Sequence, residues 1–188
     1  MVTVGIVGNN SYDVLEIMNA MFEKSGVNYL CATALNAAQL ADAFVEAVKI
    51  KASHLILNVG EPPDKVSSLK FDVLVFLINN GADKLGLGNM LKKKSYLILN
   101  CDKPLPKEIY TYSDTTFITC GFSRTASVTV SAVNVPFEEK ILYCLQRELF
   151  NIKGEKIEPA EISVNVDGRR ATEAMAAITA AMVSGVSV

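Results

Sequence analysis

The 188 residues suffice for one domain with its own core, or one domain with a small appendage. Half of them are hydrophobic and a fifth are charged, which excludes a disordered chain, and a net charge of −2 excludes the basic footprint of a nucleic-acid binder. No apolar run reaches the roughly 18 residues that cross a bilayer, and the N-terminus enters an apolar strand without a basic leader, so no membrane association is expected and a cytoplasmic location is.

Val2 to Val7 reads as a buried strand, Gly8-Asn9-Asn10-Ser11-Tyr12-Asp13 as a tight turn, and the residues up to Gly26 as a helix. Val14, Ile17, Met18, Met21 and Phe22 fall at i, i+3, i+4 and i+7 and predict one buried stripe. Asn10 or Ser11 is expected to cap this helix. Strand, turn and helix together make phosphate-loop architecture, in which backbone N–H groups cradle phosphates, a lysine neutralises them and a hydroxyl holds Mg²⁺. Here Tyr12 stands at the lysine position and Asp13 at the hydroxyl position, so the scaffold is present without its chemistry. The turn is expected to close on itself, with Tyr12 packing over the space a phosphate would fill.

Val27 to Ala34 is a second strand. Asn36 caps a second helix, whose Leu40, Ala41, Phe44 and Val48 predict its buried stripe, and Ser53 to Val59 is a third strand. Nearly continuous apolar strands joined by helices predict an α/β fold, a mostly parallel sheet with helices on both faces. Gly60 to Lys70 reads as a loop, Phe71 to Ile78 as a central strand, and Asn79 to Gly88 as a glycine-rich loop at its C-terminal end. The run Lys92-Lys93-Lys94 reads as a solvated loop or helix end, and Tyr96 to Asn100 and Thr116 to Cys120 as short strands. From Ser127, alternation predicts a small antiparallel sheet that continues through Ile141 to Phe150 and Glu161 to Val166. A helix from about Ala171 to Ser184 follows. The chain is expected to be one unit: a main part over 1–125, the small sheet over 126–168 and the final helix over 169–188 packing on the main part. Cys31, Cys101, Cys120 and Cys144 lie too far apart for a C-x-x-C motif and read as core residues, and the lone His54 has no His or Cys neighbour to share a metal.

In order and local wording the chain resembles the central ATPase domain of the Mur ligases and their folylpolyglutamate synthase relatives. The resemblance is carried by Val4-Gly-Ile-Val-Gly-Asn-Asn, Phe71-Asp-Val-Leu-Val-Phe, Leu97-Ile-Leu-Asn-Cys-Asp-Lys-Pro104, Phe117-Ile-Thr-Cys-Gly-Phe-Ser123 and Ala174-Met-Ala-Ala-Ile-Thr-Ala-Ala181. It implies that Gly8 and Asn10 are retained loop positions, whereas Ser11, Tyr12 and Asp13 replace a glycine, the phosphate lysine and the magnesium hydroxyl. A magnesium glutamate corresponds to Asn58, with Glu61 as a displaced substitute. A metal-binding histidine corresponds to Lys84, beside Asp83. Two asparagines near the last helix, one of them an adenine contact, correspond to Arg170 and Glu173. Asn100 and Asp102 are the retained pair of the nucleotide site.

The resemblance therefore implies a catalytically inactive Mur-ligase-like protein that binds a partner or a small ligand, with a link to cell-wall precursor metabolism. No catalytic residue, metal or cofactor is expected, and ATP with Mg²⁺ should bind weakly or not at all. The flanking precursor- and amino-acid-binding domains of the family have no counterpart in this sequence. The alternative is a remodelled enzyme, or one subunit of an ATP-dependent ligase complex, using Asp13, Glu61, Asp83 and Asp102. The nearly uncharged stretch Met175 to Val188 predicts that a homodimer or protein partner covers the edge of the last helix, or else the Gly60 to Lys70 loop; the alternative is that the helix packs on the parent sheet and uses its apolar face there without a partner.

Overall fold

A computed structural model describes residues 1–60, 69–77, 87–102, 104, 111–133, 140–166 and 170–187. The opening apolar run forms β1 (Val2–Gly8), and the chain then alternates through α1 (Ser11–Ser25), β2 (Tyr29–Thr33), α2 (Ala37–Lys49), β3 (His54–Gly60) and β4 (Phe71–Leu77). After a single 3₁₀ turn at Leu87–Met90 come β5 (Leu91–Asn100), β6 (Thr115–Cys120), β7 (Val128–Val133), β8 (Lys140–Leu145), β9 (Leu149–Phe150), β10 (Lys156–Ile157), β11 (Ala160–Asn165) and α3 (Ala171–Val183).

Nine strands form one sheet in the order β11-β8-β7-β6-β5-β4-β1-β3-β2. β1 to β6 pair in parallel, as buried apolar strands joined by helices require. The most apolar strand, β4, lies between β1 and β5. The expected antiparallel strands β7, β8 and β11 are grafted onto the parallel sheet through one residue pair, Cys120 with Val128. The separate antiparallel element is the two-stranded β9–β10 ribbon.

Helices cover both faces. α1 and α3 share one core with Val4, Ile6, Val73, Val75, Ile98, Ile118 and the inward residues of β7 and β8. α2 packs on the opposite face against Leu55, Leu57, Leu74 and Phe76. Gly5 faces that second core, where an added Cβ would lie 2.8 Å from the Phe71 ring, so the strand needs glycine there. α1 buries Val14, Ile17, Met18 and Phe22 as its periodicity predicts.

Several expectations are corrected. α2 buries Leu40, Ala43 and Ala47, while Ala41 is exposed and Phe44 and Val48 remain 41 % and 58 % exposed. Small alanines let that helix approach the sheet closely, and the bulkier residues are turned outward. α3 is apolar around its whole circumference, and nearly every residue from Ala171 to Val183 is buried. An all-round apolar helix is a core helix, so the expected exposed edge at the C-terminal helix is absent. Its Thr179 hydroxyl donates to the Met175 carbonyl at 2.6 Å, which leaves it to accept from the buried Tyr143 hydroxyl at 3.1 Å. The run Lys92-Lys93-Lys94 is not a loop: it lies in β5, where Lys94 has φ 59° and the register with β4 slips. Lys92 Nζ donates to Asp72 at 2.7 Å, and Thr3 supplies a backbone and a hydroxyl bond to the same oxygen. Burial pushes the Asp72 carboxyl up, and these bonds outweigh it, leaving its pKa lowered.

Of the four cysteines, Cys120 is fully buried and the others are half-buried. Burial pushes the thiols of Cys31 and Cys120 up to about 12, so neither is a ready nucleophile. The loop assignments for residues 61–68 and 78–86 lie outside the described residues, and with them Glu61, Asp83 and Lys84.

Candidate functional site

All parallel strands end on one side of the sheet, the side where open α/β sheets take ligands. There β1 runs into the turn, with Gly8 at φ 115° and Asn10 at φ 57°. Asn10 occupies the N-cap position of α1 in a left-handed conformation, and its side chain makes no cap bond. Its carbonyl accepts the N–H groups of Asp13 and Val14 at 3.0 and 3.3 Å. The expected side-chain cap is thus replaced by a longer reach. Asn10 Nδ2 donates to Glu173 Oε1 at 2.7 Å, across 163 positions of sequence.

A second bond set joins the same two helices. Arg170 Nη2 lies 3.0 Å from Asp13 Oδ1 and 2.9 Å from Glu16 Oε2, and donates to the Asp13 carbonyl at 3.2 Å. A cation at the start of a helix opposes the macrodipole by roughly 0.3–1 kcal/mol. Two carboxylates one turn apart on α1 offset that cost for Arg170. Three positions read as replacements, Asp13, Arg170 and Glu173, and the retained Asn10 therefore meet one another: Asp13 with Arg170, and Asn10 with Glu173. Glu173 is buried, Ser11 is buried, and Asn9 is exposed. Tyr12 is 60 % exposed, so the expected packing of its ring over the turn does not occur.

Asn58 lies two residues before the end of β3, paired in register with Ile6 of β1. Its side chain is fully buried, Oδ1 accepts the Gly60 N–H at 2.9 Å, and Nδ2 has no partner among the described residues. Asn100 and Asp102 lie further along the same sheet edge, after β5. Asn100 Oδ1 accepts the Asp102 N–H at 2.9 Å, and the Asp102 carboxylate accepts the N–H groups of Phe122 and Ser123 at 2.9 to 3.3 Å. An added Cβ at Gly121 would meet Asp102 Oδ1 at 2.7 Å. This pair builds the turn that follows β6, work that a fold needs with or without a nucleotide.

The structure thus joins Asn10 to Glu173 and Asp13 to Arg170, sets Asn58 beside Ile6 of β1, and uses Asn100 and Asp102 in the turn with Phe122 and Ser123. Local spacing puts the acids Asp13 and Glu16 three apart on one helix, and nothing local singles out Arg170 as the cation that answers them. Among the described residues no three His, Cys, Asp or Glu side chains are grouped to hold a metal, and no helix is long and apolar enough to cross a membrane. A groove of about 810 Å³ runs from the Arg170–Glu16 pair between α1 and β11, with Ile17, Met21, Ile162 and Val164 along it.

This arrangement is that of a Mur-ligase-like α/β fold. The chain aligns over its whole length with a UDP-N-acetylmuramoylalanyl-D-glutamyl-2,6-diaminopimelate–D-alanyl-D-alanyl ligase from Acinetobacter baumannii, at TM-score 0.68 and 12 % identity. The Thermotoga maritima MurF ligase in complex with ADP gives TM-score 0.61 at 14 % identity over the whole chain. A bifunctional folylpolyglutamate synthase/dihydrofolate synthase gives TM-score 0.58 at 11 % identity, again over the whole chain. The chain spans 44 %, 46 % and 54 % of those proteins. At such identities the likeness is one of fold. No protein-family profile and no curated protein sequence matches the chain.

Proposed function

We propose that this chain is a Mur-ligase-like binding protein that takes a partner or a small ligand, in cell-wall precursor metabolism, without using a nucleotide. The observation that carries the reading is the Asp13–Arg170 ion pair at 3.0 Å. In a working phosphate loop the first turn of the helix presents a hydroxyl beside a lysine, and both serve phosphate and Mg²⁺. Here a carboxylate stands in that turn, its charge is answered from within the chain, and the lysine position is an exposed phenol. A triphosphate approaching the turn meets the acids Asp13, Glu16 and Glu173, with one guanidinium already engaged. The groove between α1 and β11, with an apolar floor and a charged end at Arg170, suits a small amphipathic ligand.

Calorimetry with ATP, ADP and a UDP-linked muramoyl peptide, each with and without Mg²⁺, tests the reading. No heat is expected from either nucleotide, and binding of ATP with Mg²⁺ at micromolar affinity overturns it. The combined change Ser11→Gly, Tyr12→Lys and Asp13→Thr should raise ATP affinity more than any of the three alone. An equal effect from one single change counts against the correspondence of this turn with a phosphate loop.

A second reading, a remodelled enzyme or one subunit of an ATP-dependent ligase complex, is favoured by Asn58. Its buried Nδ2 lacks a partner among the described residues, and such a group costs about 1–3 kcal/mol while unpaired. Under that reading Asn58→Leu abolishes ligand binding with little loss of stability. Under the first reading it leaves binding unchanged.

A further inference from the structure

β11 is an end strand of the nine-stranded sheet and pairs with β8 alone. The Gln146 N–H donates to the Ser127 carbonyl at 2.9 Å, which fixes the phase of the β8 ladder: Leu142, Cys144 and Gln146 bond towards β7, and Ile141, Tyr143 and Leu145 towards β11. The residues opposite the latter three are Val164, Ile162 and Ala160. Glu161, Ser163 and Asn165 therefore turn their backbone N–H and C=O groups away from the sheet, and all three residues are exposed. β11 has no lysine, no proline and no bulge in its pairing with β8, the devices that blunt an edge against a further strand.

The groove beside α1 follows this edge. Side chains of a strand alternate between two faces, so a cavity over one face touches every second residue. This one touches Ile162 to Val166 in unbroken succession, which only the open edge presents. The facing wall is a single stripe of α1, with Ile17, Met21 and Lys24 at i, i+4 and i+7. We propose that the groove binds an extended peptide, which adds to β11 as a further, antiparallel strand and sets its C-terminal carboxylate at Lys24. The proposal rests on the reading of this chain as a binding protein and names the class of its partner.

Dimensions select a lone strand. The groove measures about 810 Å³. A strand occupies about 4.8 Å across a sheet and about 10 Å through it, so this volume holds about 17 Å of chain, or about five residues. The β11 edge of a second copy brings its own β8 about 4.8 Å further out, into the space that α1 holds. Ile162 and Val164 are half-buried against the same core as Ile17, so alternate apolar side chains of the peptide face that core and the others face solvent. Charge sets the direction. β11 runs towards Arg170, whose guanidinium is engaged by Asp13 and Glu16. Lys24 stands about two turns of α1 beyond Glu16, at the other end, exposed and in no ion pair among the described residues. A peptide antiparallel to β11 ends there.

Fluorescence anisotropy of the full chain with a fluorescein-labelled hexapeptide of alternating threonine and valine, free at its C-terminus, is expected to show saturable binding at micromolar concentration. Peptides N-methylated on one or the other alternate set of residues should differ at least about tenfold, because only one set directs its N–H groups at β11. Ser163→Pro removes an outward N–H without touching the β8 ladder and should weaken binding about tenfold. Amidating the peptide should cost about threefold with the wild type and nothing with Lys24→Ala. On binding, the Ser163 and Asn165 amides should gain protection from hydrogen exchange, while those of Ile162 and Val164 are protected already. No binding up to about 1 mM overturns the proposal, and so does equal binding of the two N-methylated peptides. If ATP also fails to bind, the reading of a binding protein that uses no nucleotide survives that result. A concentration-dependent dimer abolished by Ser163→Pro assigns the edge to a second copy and likewise overturns the proposal.

Discussion

Replacing Arg170 by methionine keeps most of its aliphatic stem and removes the guanidinium that joins α3 to α1. The side chains of Arg170 and Asp13 are 28 % and 39 % exposed, and that of Glu16 is 72 % exposed. Glu16 therefore contributes little, and the Asp13 pair sits towards the upper end of the 0.2–1 kcal/mol measured for partly exposed ion pairs. The hydrogen bond to the Asp13 carbonyl adds about 1 kcal/mol. Against this, the buried Arg170 Nε lacks a partner among the described residues, and removing it recovers part of that sum. The net expected loss is about 1 kcal/mol, or roughly 2–4 °C in Tm for a chain of this length. Urea unfolding of the wild type, Arg170→Met, Asp13→Asn and the double variant gives the coupling directly, expected at about 0.5–1 kcal/mol and smaller in 1 M salt. A coupling indistinguishable from zero, with Arg170→Met as stable as the wild type, refutes the view that these two positions serve each other.

Two further outcomes follow from buried polar groups. Tyr143→Phe should cost about 1 kcal/mol by urea unfolding, whereas Thr179→Val should cost about 2–3 kcal/mol because it strands the buried Tyr143 hydroxyl; equal costs would mean that the hydroxyl finds another partner. His54, the single histidine of the sequence, lies buried with Nε2 3.0 Å from the Ser184 carbonyl and Nδ1 2.9 Å from the Ser53 hydroxyl. Burial lowers its pKa from 6.5, the Ser184 bond raises it, and Lys153 and the N-terminal amine lower it further. The unfolded chain then binds the extra proton more readily, so this stabilisation is complete above about pH 6.5 and is lost as pH falls through the folded value. The urea midpoint should fall between pH 7 and pH 5, and the fall over that window should be reduced in His54→Leu; a flat wild-type profile would contradict this.

Much of the fold was legible because its strands are near-continuous apolar runs and because the α1 stripe has only one apolar face to offer. α2 was misread for a physical reason: apolar residues occupy more than half of its circumference, and periodicity alone cannot tell which arc meets the sheet. The close approach was decided by volume, with Ala43 and Ala47 inward and Phe44 and Val48 outward. α3 was recognised as a helix, but its missing polar face left both an interaction edge and packing on the parent sheet open, and its burial within the chain decides for the second. At the site, Asn10, Asp13, Arg170 and Glu173 were named one by one, and their mutual pairing was not foreseen. Asp13 and Arg170 stand 157 positions apart, and nothing local links them. Asn100 and Asp102 were read as survivors of a nucleotide site, and what local sequence did not show is the turn that they build with Phe122 and Ser123.

The placement of α3 bears on how the protein can be made. α3 leaves the ribosome after every strand of the sheet and packs beside α1 over β4 to β7, and its Ala171 to Val183 segment is almost entirely interior. Until it arrives, Val73, Val75, Ile98 and Ile118 lack the neighbour that completes their core, although β1 to β6 and α1 are already available to pair. A nascent chain therefore carries an open apolar trough through most of its synthesis, a state prone to capture by other chains or by chaperones. Chains released before residue 171 should be insoluble, and completion of this fold should wait for α3 rather than proceed in stages.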